Sequence, residues 1–238
     1  PNRLRADRKS AEQQAAEGSG PDYAAAVRHN TFLNLVAFGD DGVRVVSIDG
    51  RSAATPESRM QLVTGETGLG DVREVTAAVA GDLEADGDID LALATQRGGV
   101  RLFVNRGNRT FFEVPQGDQP FAADDPVSAM AIADLDRDLD LDIVTTHAES
   151  GRVGMLENLL HLQFRGRYLD QVPALQGASA LAIEDIDGNV SWDILVGGAG
   201  GTSIVFSHTA DAGVWTVDRV INSDQAARGL CVADFDND

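Results

Sequence analysis

Short apolar runs alternate along this chain with breaks rich in Asp and Gly, and the alternation is periodic. Three segments align without gaps: VTAAVAGDLEADGDIDLALA (75–94), VSAMAIADLDRDLDLDIVTT (127–146) and ASALAIEDIDGNVSWDILVG (178–197). A fourth copy, ARGLCVADFDND, occupies 227–238. Their first acidic residues are Asp82, Asp134, Asp185 and Asp234, stepping by 52, 51 and 49 residues. An earlier, degenerate copy lies near 24–50, where GVRVVSIDG (42–50) matches GVRLFVNRG (99–107) and Ala26, Arg28 and Asn30 replace the acidic positions.

Within the clearest copy the pattern predicts four strands, at about 75–80, 90–95, 99–105 and 110–114, separated by turn residues. No long amphipathic helical pattern falls between them, so a βαβ reading fails. A repeat of about 50 residues with four strands is the size of a propeller blade. The first strands carry small residues on one face, Ala77, Ala129, Ala180 and Gly229, and two residues on Val79, Ala131, Ala182 and Cys231. Such residues suit the innermost strand, where blades converge and space is short. The second strands are apolar or small on both faces, as strands covered from both sides require. The predicted fold class is therefore all-β: a β-propeller of four-stranded blades, with about four blades and the start of a fifth present, preceded by a short N-terminal helix. Residues 1–21 are expected to be a helical linker or the end of an upstream region, because 3–17 are rich in helix formers and Gly18-Ser19-Gly20-Pro21 stops them. The blades are placed at about 22–72, 73–125, 126–176 and 177–226, with the next beginning at 227–238.

The acidic breaks carry the chemistry. They read DLEADGDID (82–90), DLDRDLDLD (134–142) and DIDGNVSWD (185–193). Side-chain oxygens recur at loop positions one, three, five and nine: Asp82, Glu84, Asp86 and Asp90; Asp134, Asp136, Asp138 and Asp142; Asp185, Asp187, Asn189 and Asp193. Position seven, Asp88, Asp140 or Ser191, offers a backbone carbonyl. Ca²⁺ takes 6–8 hard oxygen ligands in flexible geometry, whereas Mg²⁺ demands a stricter octahedron. No His or Cys recurs with these positions, which disfavours zinc and copper. Solvated acidic turns are the competing reading, since Asp and Gly favour turns for local reasons. Three copies in one register favour calcium. Gly87 at position six becomes Leu139 and Val190 in the later loops; a positive φ there would strain both.

The spacing D-x-D-x-D-G-x-x-D between two strands resembles the FG-GAP/VCBS repeat of integrin-α-like propellers, over about residues 27–238. The resemblance implies a Ca²⁺-binding loop between the first two strands of each blade and a ring of roughly seven blades. With the chain ending inside an acidic loop at Asp234, Asp236 and Asp238, a fragment of such a ring is expected. The Phe-Gly signature is reduced to Phe38-Gly39.

Charge narrows the partners. A formal net charge of −19 argues against nucleic acid and against docking on an anionic membrane. No apolar run approaches the length that membrane insertion needs. The single Cys231 excludes an intrachain disulfide and reads as a small buried hydrophobe. The four histidines, His29, His147, His161 and His208, share no motif. Trp215 reads as an outer-strand packing residue, and Trp192 sits inside the third acidic loop. The expected function is a non-catalytic, calcium-stabilised scaffold that binds a protein or carbohydrate ligand in an extracellular, periplasmic or cell-surface location, since weak calcium sites match extracellular concentrations. The alternative is a propeller-fold enzyme, a polysaccharide lyase or quinone-dependent dehydrogenase. It would need converging basic, His or Tyr residues, and only Tyr23 and Tyr168 are present.

Overall fold

A computed structural model describes residues 32–49, 60–97, 99–107, 110–117, 119–121, 124–160, 162–209 and 214–233. The predicted N-terminal helix and the first strand of the degenerate copy lie outside these residues. Among these residues two compact units are distinguished, one within 32–37 and 44–64, the other within 38–43 and 65–233.

The degenerate copy forms a three-stranded antiparallel sheet, β1 (Phe32–Gly39), β2 (Gly42–Asp49) and β3 (Met60–Leu62), in that order. Gly42 opens β2 at φ 106, where a Cβ would overlap the Val72 carbonyl oxygen. Only glycine fits such a corner.

The larger unit holds three four-stranded antiparallel sheets, each a propeller blade with its strands in sequence order. The first contains β4 (Val75–Gly81), β5 (Asp90–Thr95), β6 (Gly99–Asn105) and β7 (Phe111–Val114). The second contains β8 (Val127–Ala133), β9 (Asp142–His147), β10 (Val153–Asn158) and β11 (Phe164–Tyr168). The third contains β12 (Ala178–Glu184), β13 (Asp193–Gly198), β14 (Thr202–Thr209) and β15 (Val214–Asn222). Strand boundaries in the first of these blades depart from the predicted ones by a residue at most.

Every residue of β5, β9 and β13 is buried. Each of these strands is covered on both faces, which explains their unbroken apolar or small sequence. The innermost strand β8 packs between β4 and β12. Ala77 and Ala180 are buried at these contacts, and a Cβ on Gly81 would press on the Ile132 side chain of the next blade. Small residues thus set the blade spacing. Larger side chains fill the space farther out: Val144, Met155, Ile194 and Phe206 belong to one core cluster joining the second and third of these blades. Full burial of one such side chain contributes about 1.5–3 kcal/mol.

All three innermost strands carry the same β-bulge, between Val75 and Ala77, Val127 and Ala129, and Ala178 and Ala180. The extra residue is Thr76, Ser128 or Ser179. Its backbone leaves the ladder, and in the two serine cases the hydroxyl turns to the next repeat. Ser128 Oγ donates to the Ala178 carbonyl at 2.7 Å, and Ser179 Oγ donates to the Ala227 carbonyl at 2.7 Å. Thr76 Oγ1 is buried and makes no hydrogen bond.

Residues 223–233 form no strand, and Cys231 is exposed. This corrects the expectation of a buried thiol: without a formed strand, its apolar neighbours are not stacked over it. Trp215 on β15 is buried, and Trp192 is half-buried against the same core. His147 is fully buried; its Nδ1 lies 2.9 Å from the Asp125 carbonyl oxygen and its Nε2 3.1 Å from Thr145 Oγ1. Burial pushes its pKa down, so a neutral ring with Nδ1–H donating satisfies both contacts.

Candidate metal centre

Each acidic loop joins the first two strands of its blade, and all three adopt one backbone. Position four has positive φ in each: 59° at Ala85, 66° at Arg137 and 71° at Gly188. Position six repeats it: 92° at Gly87, 80° at Leu139 and 70° at Val190. Leu139 and Val190 are 88% and 72% exposed, so no packing of their own side chains compensates the strain. What holds the conformation is a set of side-chain acceptors. The position-one carboxylate accepts the N–H of position six: Gly87 to Asp82 at 2.9 Å, Leu139 to Asp134 at 3.2 Å and Val190 to Asp185 at 2.9 Å. Position five accepts the N–H of position seven: Asp88 to Asp86 at 2.9 Å, Asp140 to Asp138 at 3.0 Å and Ser191 to Asn189 at 2.6 Å. Short polar side chains bonding to their own backbone in this way are why the loop is so rich in Asp and Asn.

The ninth residue closes the loop. Asp90, Asp142 and Asp193 are wholly buried. Asp90 accepts the N–H of Leu83 at 3.0 Å and of Asn105 at 2.9 Å. Asp142 accepts those of Leu135 at 3.0 Å and Asn158 at 2.9 Å. Asp193 Oδ2 accepts the N–H of Ile186 at 2.8 Å. The carboxylate therefore brackets the loop's second residue and, in the first two cases, the third strand of the sheet. Burial raises the pKa of Asp90, and that of Asp142 to about 6, with the N–H donors opposing the rise. Burial, followed by the nearby charges of Asp86 and Asp90, also raises Glu84. Burial and then the charge of Asp138 raise Asp136. Protons are held more tightly here than on isolated carboxylates, and a bound cation would reverse that.

Convergence differs between loops. Asp134, Asp136 and Asp138 each bring a carboxylate oxygen within 4.8 Å of the others, and so do Asp185, Asp187 and Asp193. One ion bonded at about 2.3–2.6 Å to each oxygen can bridge that span. Among the described residues the first loop brings no such trio together: both oxygens of Asp82 already accept N–H groups, from Asp86 at 3.0 Å and Gly87 at 2.9 Å. The later loops keep oxygens in reserve. Asp134 Oδ1, Asp140 Oδ2, Asp185 Oδ1 and Asp193 Oδ1 are buried and make no hydrogen bond. A buried, unbonded carboxylate oxygen is costly unless a cation or donor meets it. The donor set in these two loops, all oxygen, fits Ca²⁺. Asn189 turns its amide nitrogen to Asp187 Oδ2 at 3.0 Å and its oxygen to the Ser191 N–H.

Two residues that the spacing of acids does not flag also belong to these loops. Asn105 Nδ2 donates to the Ile89 carbonyl at 3.1 Å. Asn158 Nδ2 donates to the Leu83 carbonyl of the preceding blade at 2.9 Å. Both end the third strand of their blades, and aligning GVRLFVN with VGMLEN would have paired them.

Residues 82–145 match the FG-GAP-like repeat family, and this stretch is such a repeat, as the resemblance implied. A search of curated proteins found no match. Among solved structures, a lectin from Agrocybe aegerita, described by its specific recognition of non-reducing terminal N-acetylglucosamine, aligns over 85% of this chain and 51% of its own, with 18% identity and a TM-score of 0.50. BBS1N in complex with ARL6DN, soaked with lead, aligns over 82% of this chain and 57% of its own, with 16% identity and a TM-score of 0.42. The chain thus spans little more than half the length of the structures it resembles. At this identity the lectin likeness speaks for the fold alone, and the fold is that of propeller blades.

Proposed function

We propose that this chain is part of a calcium-stabilised β-propeller that presents a binding surface for a protein or glycan and performs no catalysis. The observation that carries the calcium reading is the set of buried carboxylate oxygens without a hydrogen bond in the loops 134–142 and 185–193. Asp134, Asp136, Asp138 and the Asp140 carbonyl would hold one ion. Asp185, Asp187, Asp193 and the Ser191 carbonyl would hold another. The loop 82–90, with Glu84, Asp86, Asp88 and Asp90, would bind more weakly, because its position-one carboxylate must release N–H groups first. The ion would supply the charge that lets several carboxylates share one turn. The chain's own residues do the rest, fixing the loop between the first two strands and holding the third strand through Asp142 and Asn158. The binding role is supported by the scaffold's likeness to a sugar-recognising lectin, a fold-level argument only. An extracellular, periplasmic or cell-surface setting accords with weak sites matched to millimolar calcium.

Thermal unfolding in millimolar Ca²⁺, in Mg²⁺ and in EGTA tests the reading. Two sites at one hundredfold excess over Kd would each add about 2.7 kcal/mol, and the midpoint should rise with Ca²⁺ far more than with Mg²⁺. Identical midpoints in all three, with no heat of binding, would leave the acidic loops as self-bonded turns.

A further inference from the structure

A cleft of about 650 Å³ opens between the second and third blades of the larger unit. It lies within the roughly 300–1,000 Å³ of small-molecule sites. Met155 and Leu169, both buried, line its deep part. Trp192 and Trp215 flank it, and they are the chain's only two tryptophans. Trp192 is half-buried, and its indole N–H makes no hydrogen bond among the described residues. Arg137 and Gln171 stand exposed at the mouth, and neither pairs with another described side chain or backbone group.

From this lining we infer that the cleft is a saccharide site that takes a neutral sugar ring. The inference rests on the scaffold reading above and gives it a location. A pyranose is amphipathic in the way the cleft is: its C–H face packs on an indole, and its equatorial hydroxyls need donors and acceptors around the edge. Arg137, Gln171 and the Trp192 N–H supply donors that the protein leaves unused, and the Gln171 amide oxygen and Asp136 supply acceptors. Most of the lining comes from the loops 134–142 and 185–193 and the turn after β11, with only Met155 from an inner strand and Arg167, Tyr168 and Trp215 from the outer strands β11 and β15.

The two better-formed acidic loops make two walls of the same cleft. Asp136 and Arg137 belong to the loop 134–142, and Ser191 and Trp192 to the loop 185–193. An ion in either loop would fix the backbone that carries Arg137 or Trp192. Sugar affinity is therefore coupled to calcium.

Tryptophan emission reads this cleft directly, because no tryptophan lies elsewhere. The full 238-residue chain, saturated with Ca²⁺, would be titrated with methyl glycosides of neutral hexoses and N-acetylhexosamines. A saturable emission change is expected with at least one, persisting in Trp215→Phe, where Trp192 alone emits. Arg137→Ala and Gln171→Ala should each weaken binding roughly threefold to tenfold, the loss of one hydrogen bond, with an unchanged melting midpoint. EGTA should weaken it as well. No saturable change with any glycoside, affinity unchanged from the parent in both mouth variants, or a response to a mixed peptide pool and not to glycosides would each overturn the inference. If Ca²⁺ raises the midpoint while glycosides leave the emission unchanged, the saccharide site alone is lost. If Ca²⁺ leaves the midpoint unmoved, the calcium scaffold reading fails whatever the glycosides do.

Discussion

Position six of the acidic loops allows the backbone cost of the repeat to be measured without disturbing a core. Leu139 sits at φ 80° with its side chain 88% exposed. Replacing it with glycine removes almost no buried area but relieves a left-handed conformation that costs an L-residue about 1–2 kcal/mol. Against this, glycine enlarges the entropy of the unfolded chain by about 0.4–1 kcal/mol. Leu139→Gly should therefore stabilise the protein by about 0.5–1 kcal/mol. For a chain of this size that is an upward shift of about 1–4 °C in the thermal midpoint. Leu139→Ala keeps the Cβ and the strain, and should move the midpoint little. The reverse experiment is Gly87→Ala, at φ 92° with nothing within 4 Å of the added Cβ. No clash complicates it, and it should destabilise by about 0.5–1 kcal/mol. Midpoints would be taken by circular dichroism at fixed calcium, and again in EGTA. A lower midpoint for Leu139→Gly, or a higher one for Gly87→Ala, would refute the argument that backbone strain and not side-chain identity governs this position.

Other expectations follow from the blade contacts and from titration. Ser128→Ala removes the 2.7 Å bond to the Ala178 carbonyl and should cost about 1 kcal/mol in urea unfolding, whereas Thr76→Val, at a buried hydroxyl with no partner, should be neutral or stabilising; equal costs would show that the bulge hydroxyls do not link blades. His147 is buried with its pKa pushed below 6.5, so the unfolded chain takes up the proton first and stability is lost as pH falls below about 6.5, by up to about 1.4 kcal/mol per pH unit. Because Asp142 titrates near 6 with the opposite sign, the test is the difference between the parent and His147→Gln across pH 5.5–7.5; parallel curves would mean the ring is not held neutral.

Strands and turns were readable because the blade is a local object. Alternating apolar runs set the strands, and glycine marks the tight corners, as at Gly99 and Gly151. The common loop backbone was foreshadowed at Gly87, and Leu139 and Val190 accept its positive φ because their neighbours' carboxylates bond the N–H groups around them. Alignment treated the acids at each position alike, yet geometry gives them separate tasks. Asp142 brackets backbone, while Asp134 keeps an oxygen free. Burial makes that division, and burial depends on which blade lies next door. The same holds for the cleft, whose residues come from 135 to 215 in sequence and share no spacing. Cys231 was misjudged because an apolar run implies burial only where a strand forms to stack it.

The bulge hydroxyl has a consequence for ancestry. Ser128 reaches Ala178, and Ser179 reaches Ala227, so each bond spans one whole repeat. The copies that carry Ser128 and Ser179 each bring a donor for the copy after them, and Ala178 and Ala227 bring the acceptors. A gene that duplicates or loses an entire repeat leaves these donors and acceptors matched. A break inside a repeat strands one of them in the interior. Inheritance in whole units is thus favoured by a single hydroxyl, and Thr76, whose donor has no taker, marks a junction where that rule has begun to relax.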